Sequence, residues 1–454
     1  MSRLALAALV LLVFACTAQA APAAVVSPSS EAMVAPEPTP TPVTLGPPQY
    51  RGLWADAFHE GFKSQAQAER LLQDAQRANV NALFIQVRKA GDAYYNDSFE
   101  PRAGDIQGPP RFDPLAFLIK RAHSANPRLE VHAWVNVFYV GRSSAVWQRN
   151  PDWVNRTSGG TAGPYLDPGS PGAQAYTREV FLHLATAYDI DGIHLDFVRY
   201  PEGGNWGYSP SALSAYGQGS PDPADPAWSQ WRRDQVTGFV RGLGKDLVAA
   251  KPHLRLSAAL IPWGSGPADT AGFAASRAYS EVFQDWRGWL EAGIIDLAVV
   301  MNYDTAWSGF GSKWFDQWTE FEKDHQYGRR VLIGVGAYFN YPEDTLDQIR
   351  RALAPSARGN YAAGVAIYSY ASTSVYGTDD YYAHPEAQQT LPRQPYAADP
   401  KDLSSLTQRA SEFNRGFWDL LAKPGAYTDP VTAGRITTQP VFTAPAAIPV
   451  LPWK

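Results

Sequence analysis

The most informative stretch of this chain is Asp191-Gly-Ile-His-Leu-Asp-Phe-Val-Arg-Tyr-Pro201, which predicts a buried strand ending in polar side chains. Successive side chains of a strand point to opposite faces. If Ile193 and Leu195 face one way, His194 and Asp196 face the other. A carboxylate and an imidazole inside a sheet or barrel are costly to bury unless a partner or ligand satisfies them. The stretch therefore predicts a functional site at the end of a central strand.

Seven further apolar runs alternate with helical patterns. The eight predicted strands are Gly52–Asp56, Asn81–Arg88, Leu129–Val137, Ile190–Val198, Leu254–Ile261, Ile295–Tyr303, Arg330–Tyr338 and Val365–Tyr370. Eight β-then-α units predict an α/β fold, the (β/α)₈ TIM barrel, with long loops on its top face. The competing fold is a doubly wound open sheet, but no glycine-rich phosphate turn follows the first strand. The segments that follow strands and are long enough to shape a cleft are 89–112, 138–173, 199–226 and 371–400.

The N-terminus predicts export. An apolar run from Leu4 to Ala15 is too short to span a membrane as a mature helix, and Ala18-Gln-Ala20 fits a signal-peptidase site. We therefore expect residues 1–20 to be a signal peptide. Cys16, the only cysteine, leaves a second interpretation open, because Val13-Phe-Ala-Cys16 resembles a bacterial lipoprotein box that would carry a lipid anchor. Either way we expect a periplasmic, cell-surface or extracellular protein.

The remaining segments differ in composition. Residues 21–49 predict a disordered Pro/Ala-rich linker, 50–426 the barrel, and 427–454 a Pro-rich tail that either wraps the surface or stays disordered. With one cysteine, the chain can form no intramolecular disulfide and no cysteine-based metal site. We expect a monomer without a membrane span.

Charge and aromatic content narrow the class of ligand. The formal net charge of −5 gives no electrostatic case for nucleic acid. The chain has 15 Trp, 23 Tyr and 20 Phe, and such rings suit sugar faces, although most of them are expected to pack in the core.

Polar groups converge at the predicted strand ends. The expected inward set is Asp56, Gln86, Arg88, His132, Trp134, Asn136, His194, Asp196, Asn302, Asp304, Tyr368 and Tyr370, with His59, Glu60 and Arg199 in the loops just beyond. In a barrel these groups would meet in one pocket at the top. The alternative is a buried polar network that holds the barrel mouth together, in which Gln86, Arg88 and Asn136 are scaffold groups.

Paired carboxylates with flanking aromatic rings fit the cleavage of a glycosidic bond. Asp196 is the first candidate, and its partner is left open among Asp304, Asp56 and Glu60. Arg199 would lower the pKa of Asp196 and His194 could share its proton, so the acid and nucleophile roles stay open.

Metal ligation is a further alternative. His132, His194, Asp196 and Asp56 could hold an ion in a metal-dependent deacetylase. The helical His-x-x-x-His pattern of zinc proteases is absent, so we expect neither a metal nor another cofactor.

Several motifs together resemble the glycoside-hydrolase-like family 10. They are Arg51-Gly-Leu-Trp-Ala-Asp56, Phe84-Ile-Gln-Val-Arg88 with Gly91-Asp-Ala-Tyr94, Gly192 to Pro201, Gln284-Asp-Trp286, Met301-Asn-Tyr303 and Tyr368-Ser-Tyr370. The resemblance covers roughly Tyr50 to Ala371. It implies a TIM-barrel hydrolase-like domain exported by bacteria, often as a lipoprotein. One type of relative cleaves peptidoglycan glycan strands stripped of their peptides.

A fainter resemblance is to family 18 chitinases. The matching positions are Asp191, Gly192 and Asp196 in the fourth strand, and Met301, Tyr303 and Asp304 in the sixth. Val198 stands where the chitinase proton donor would be, which excludes simple transfer of that mechanism. The resemblance still implies a site for N-acetylated sugars, with Tyr303 and Asp304 near the acetamido group.

The leading hypothesis is an exported glycoside hydrolase acting on an amino-sugar polymer, with peptidoglycan glycan strands as the foremost candidate. Its catalytic residues are expected among Asp196, Asp304 and Asp56. Its substrate-binding residues are expected to be His59, Gln86, Arg88, His132, Trp134, Asn136, His194, Arg199, Asn302, Tyr303 and Tyr370. The alternative is a catalytically inactive, carbohydrate-binding barrel, since Val198, Tyr338 and Asn340 occupy positions where a second carboxylate could stand.

Overall fold

The computed structural model describes residues 44–377, 403–429 and 432–453, without the side chains of 403–412. The described strands are β1 Tyr50–Ala55, β2 Ala82–Arg88, β3 Glu130–Asn136, β4 Val154–Arg156, β5 Ala162–Leu166, β6 Gly192–Asp196, β7 Arg255–Leu260, β8 Leu297–Asn302, β9 Arg330–Gly336, β10 Gly364–Tyr368, β11 Gly425–Thr428 and β12 Arg435–Thr438. The predicted signal peptide (residues 1–20), the linker up to residue 43 and residues 378–400 of the last long loop lie outside the described residues.

The helices surround the strands. Those described are α1 Gln65–Arg77, α2 Pro114–His123, α3 Ala145–Arg149, α4 Pro171–Ala187, α5 Pro210–Tyr216, α6 Pro226–Ala250, α7 Thr270–Ala275, α8 Arg277–Ser280, α9 Trp286–Glu291, α10 Gly309–Asp324, α11 Pro342–Leu353 and α12 Leu403–Ala422, with 3₁₀ turns at Ala337–Phe339 and Val375–Gly377. None of the described helices is both long and apolar enough to cross a bilayer.

Eight of the strands close into a parallel barrel. Their order around the ring is β1-β10-β9-β8-β7-β6-β3-β2, and every neighbouring pair is parallel. The predicted (β/α)₈ fold is therefore confirmed, and each predicted strand overlaps one barrel strand, with β1 and β10 beginning two residues and one residue before the predicted start. The antiparallel pair β4–β5 stands in the long loop after β3, and β11–β12 form a second small sheet.

The helices pack on the outward strand faces through apolar stripes. On α6 the buried residues include Val236, Phe239, Val240, Leu243 and Leu247, as the periodicity predicts. At the start of α1, Ser64 accepts a hydrogen bond from the backbone N–H of Gln67, at 3.2 Å. Because the barrel strands are buried on both faces, their sequences are near-continuous apolar runs.

Side chains fill the barrel interior, so it is a packed core and not a channel. The ring of Phe84 lies 4.6 Å from that of His194 and 4.9 Å from that of His132. Below them, at the strand starts, Glu130 forms an ion pair with Arg255 at 2.5 Å. The space available for a ligand is therefore confined to the barrel ends.

The C-terminal tail covers the end where the strands start. The guanidinium of Arg51 donates to the carbonyl of Ala444 at 2.5 Å, and Asn81 donates to that of Ala446 at 3.1 Å. The indole of Trp453 donates to Asp296 at 2.6 Å. Residues 432–453 therefore wrap the barrel, which leaves the opposite end, with the long loops, as the mouth.

Candidate active site at the barrel mouth

Asp196 is the last residue of β6 and is only 6% exposed. Its Oδ2 accepts a hydrogen bond from the indole N–H of Trp134 at 3.1 Å, and its Oδ1 accepts one from the backbone N–H of Phe197 at 2.6 Å. Burial raises the pKa of Asp196, and the positive charge of Arg199 acts in the opposite direction. Donors on both oxygens and a nearby guanidinium thus offset part of the cost of burying a charge.

Five aromatic residues line the mouth beside Asp196. We call Trp54, Trp134, Tyr303, Tyr338 and Tyr368 the aromatic cluster. The rings of Tyr303 and Tyr368 stack with centroids 5.2 Å apart, Tyr338 lies 5.5 Å from Tyr368, and Trp54 lies 6.0 Å from Tyr303. Burial raises the pKa of Tyr303, and Tyr368, Tyr338 and Asp196 add to this rise. A carboxylate beside flat apolar rings suits a sugar, which presents both C–H faces and hydroxyl groups.

His194 is part of the barrel core beneath this cluster. Because an indole N–H can only donate, the 3.0 Å contact with Trp54 makes His194 Nε2 an acceptor. The proton then lies on Nδ1, which donates to Ser257 Oγ at 2.9 Å. Burial holds the pKa of His194 well below its ordinary value, so the ring is neutral. Its hydrogen bonds thus run to Trp54 and Ser257, whereas those of Asp196 run elsewhere.

Gln86 and Asn136 form a bridge between neighbouring strands. Gln86 accepts from the backbone N–H of Ala57 at 2.9 Å and donates to Asn136 Oδ1 at 3.1 Å. Asn136 in turn donates to the carbonyl of Lys89 at 2.8 Å. Both side chains are fully buried, which matches the scaffold interpretation. They fix the loop after β1 against β2 and β3.

Arg88 and His132 are predicted to bind substrate, but the structure pairs both of them with protein groups. Arg88 is fully buried and forms a bidentate pair with Glu100, at 2.6 and 2.7 Å. His132 is fully buried one layer below His194 and contacts Glu130 at 3.1 Å. Because both side chains are fully buried and paired within the protein, we remove them from the set proposed to contact a sugar.

Asp56 orients His59. Its Oδ1 accepts from the backbone N–H groups of Phe58 and His59 and lies 2.8 Å from His59 Nδ1. Burial raises the pKa of Asp56, but the hydrogen bonds and the charge of His59 outweigh it and lower the pKa overall. The carboxylate is therefore ionised and bonded to His59, and it holds in place a His59 side chain that is 38% exposed. Glu60, the other candidate in this loop, is 80% exposed and 4.0 Å from Arg70.

Asn302 and Tyr370 face away from the interior, so their predicted orientation is wrong. Asn302 donates to Glu322 at 3.1 Å and to Thr319 at 3.3 Å, both on α10 outside the barrel. The hydroxyl of Tyr370 donates to Asp74 on α1 at 2.9 Å. We remove both residues from the set proposed to contact a sugar.

Asp304 follows the end of β8. Burial raises the pKa of its carboxyl to about 7. Its backbone carbonyl accepts hydrogen bonds from Asn340 at 3.0 Å and from Gln348 at 2.9 Å, which fixes the main chain here. At neutral pH a substantial fraction of this carboxyl retains its proton, as a general acid requires.

Arg199 lies in the loop after β6, where sequence analysis placed it. Its guanidinium carbon is 4.8 Å from the ring centre of Phe197 and 5.2 Å from that of Trp263. Trp54 is not among the predicted inward residues, although it stands two residues before Asp56 and so shares its face of the strand. Among the described residues, no group of three His, Cys, Asp or Glu side chains is arranged to hold a metal ion.

Comparison with known proteins gives related hydrolases and barrels. Residues 49–343 match the model of the family described as glycosyl hydrolase-like 10. The chain is 28% identical over 294 residues to glycosyl hydrolase YngK of Bacillus subtilis (strain 168), covering 59% of this chain and 54% of that protein. It is 26% identical over 312 residues to glycosyl hydrolase DigH of Escherichia coli (strain K12), covering 61% and 66%. The chain thus spans about half to two thirds of the length of these relatives.

Among solved structures, the glycoside hydrolase domain of PgaB (BpsB) from Bordetella bronchiseptica superposes with a TM-score of 0.53 at 16% identity, covering 75% of this chain and 98% of that chain. α-L-Fucosidase isoenzyme 2 from Paenibacillus thiaminolyticus gives a TM-score of 0.50 at 15% identity, covering 71% and 46%. At such identities the likeness concerns the fold alone. The family match covers more than half of the chain, and the chain therefore belongs to the glycosyl hydrolase-like 10 family.

Proposed function

We propose that this protein is an exported glycoside hydrolase that cleaves O-glycosidic bonds in an amino-sugar polymer, namely peptidoglycan glycan strands. The observation that carries the proposal is Asp196, a buried carboxylate at the end of β6 beside the aromatic cluster. Membership of the glycosyl hydrolase-like 10 family and the names of the two relatives support the reaction class. Export rests on the sequence of residues 1–20, with cleavage after Ala20 or lipidation at Cys16.

The carboxyl groups of Asp196 and Asp304 have different surroundings, so each is proposed to have a different catalytic role. Asp196 receives two N–H donors and the field of Arg199, so we propose that it stabilises or attacks the oxocarbenium-like centre. Asp304, whose pKa is about 7, donates the proton to the leaving oxygen. Trp134, Tyr303 and the exposed edge of His59 are the proposed sugar contacts.

The test is release of reducing ends from peptide-free peptidoglycan strands and from chitin oligomers. Wild type should cleave the strands, and Asp196→Asn should lose that activity while its circular dichroism is unchanged. Asp304→Asn should cleave natural strands slowly but recover on aryl glycosides, whose leaving group needs no proton. Asp234→Asn, an exposed carboxylate on α6, is the matched control. Absence of reducing ends with every substrate would refute the proposal.

One observation favours a second candidate, a carbohydrate-binding barrel without activity. Two carboxyl groups about 5 Å apart would raise each other's pKa. Burial, however, is the largest cause of the raised pKa of Asp196 and raises that of Asp304, and Asp304 also raises the pKa of Glu322 on α10. A binding barrel would be retained on the strands and release no reducing ends, so the same assay separates the two functions.

A further inference from the structure

Arg199 is a buried cation that forms no close ion pair with any carboxylate in the described part of the chain. The residue is only 7% exposed, and its buried Nε has no hydrogen-bond partner in the described part of the chain. No described carboxylate lies within ion-pair distance of its guanidinium. By contrast, Arg88 is paired with Glu100, and Arg232 donates to the carbonyls of Gly204 and Trp206, both at 2.8 Å. A buried guanidinium with an unsatisfied N–H and no close carboxylate is costly, which makes Arg199 a candidate for contact with a ligand.

The surroundings of Arg199 place its charge at the mouth. It stands three residues after Asp196, and its charge is the strongest influence opposing the effect of burial on the pKa of that carboxyl. Its guanidinium packs on the rings of Phe197 and Trp263. Arginine stacked on aromatic rings keeps its N–H groups in a fixed planar fork, which matches the geometry of a carboxylate.

We infer that Arg199 binds a carboxylate carried by the substrate sugar and thereby selects acidic over neutral amino-sugar chains. This inference rests on the function proposed above. On a peptidoglycan strand the group is the lactyl carboxylate of muramic acid, which is free after the peptide is removed and is an uncharged amide while the peptide is attached. Arg199 therefore makes the site specific for the peptide-free form.

A different role for Arg199 would be purely electrostatic. If it only lowered the pKa of Asp196, its loss would shift the pH profile and slow acidic and neutral substrates alike. A specificity residue instead changes the ratio of kcat/KM between two substrates, chiefly through KM. The electrostatic role and the specificity role can therefore be separated by combining a substitution of Arg199 with removal of the carboxylate from the substrate.

The experiment compares wild type, Arg199→Gln and Arg199→Lys on peptide-free strands and on the same strands with their lactyl carboxyls reduced to alcohols. Wild type should prefer the carboxylated strands about tenfold or more in kcat/KM, since a charge-assisted hydrogen bond is roughly twice as strong as a neutral one. Arg199→Gln should bring that ratio close to one. Arg199→Lys keeps the charge but lacks the planar fork, so its kcat/KM ratio should lie between those of wild type and Arg199→Gln. It replaces Arg199→Gln in the test if the glutamine variant folds poorly.

Equal preference in wild type and Arg199→Gln would overturn the inference. So would an equal loss on both substrates accompanied by a shifted pH profile. If wild type cleaves neither strand, the proposed hydrolase activity fails, and binding affinities for the two strands then test Arg199 on their own. In that case, loss of the preference for carboxylated strands in Arg199→Gln would still support carboxylate recognition, and an unchanged preference would refute it.

Discussion

Replacing Asp304 with Asn should change how the stability of the protein depends on pH. In the folded chain burial raises the pKa of this carboxyl from 3.8 to about 7. Between these values the unfolded chain has released the proton and the folded chain retains it, so wild-type stability falls as pH rises toward 7. A shift of about three pKa units corresponds to ~4 kcal/mol, and partial solvent access reduces this to about 2 kcal/mol. Asparagine is neutral at every pH, so the free energy of unfolding of Asp304→Asn does not include this pH-dependent loss.

The assay is urea unfolding, followed by tryptophan fluorescence, at pH 4.5 and pH 8. The free energy of unfolding of Asp304→Asn, relative to wild type, should rise by about 2 kcal/mol between the two pH values. Asp234→Asn, on the exposed face of α6, controls for the loss of one carboxylate. The same difference between Asp304→Asn and wild type at both pH values would refute the buried, protonated state of Asp304 and with it the proposed acid role.

Three other substitutions test the packing and the site. Gly192→Ala should destabilise the fold by roughly 1–3 kcal/mol in urea unfolding, because the new Cβ would lie 2.2 Å from His132 Nδ1; an unchanged midpoint would contradict this packing. Trp134→Phe should lower kcat/KM about tenfold or more and move the acidic limb of the pH profile to higher pH, since Asp196 loses a donor; an unchanged profile would count against that hydrogen bond. Trp453→Ala should lower the free energy of unfolding by roughly 1–3 kcal/mol through the loss of a packed, hydrogen-bonded indole at the closed end of the barrel, and wild-type stability would argue against a docked tail.

The strands and their order could be predicted because both faces of each barrel strand are buried, which gives apolar runs of the right length. Because both faces are apolar, the sequence does not show which face of a strand points into the barrel. Alternation predicts that Asn302 faces inward with Val300, yet Val300 packs in the core around the barrel and Tyr303 is the residue that belongs to the aromatic cluster. Tyr370 fails for another reason, because β10 ends at Tyr368 and strand alternation does not continue past it.

The partners of buried polar groups could not be read from the sequence. Arg88 is satisfied by Glu100 from the following loop, and His194 by Trp54, 140 positions earlier in the chain. Pairing across a barrel depends on register and closure, which local patterns do not contain. Asp196 was found because a carboxylate within a buried strand is unusual in any register.

The most direct test of the central claim is a crystal structure of Asp196→Asn with a bound peptide-free glycan fragment. We expect an anomeric carbon within about 3–3.5 Å of the side chain at position 196, the distance needed for reaction. We also expect a sugar face against the aromatic cluster. A fragment bound at another place, or one whose glycosidic bonds all lie far from position 196, would contradict the account.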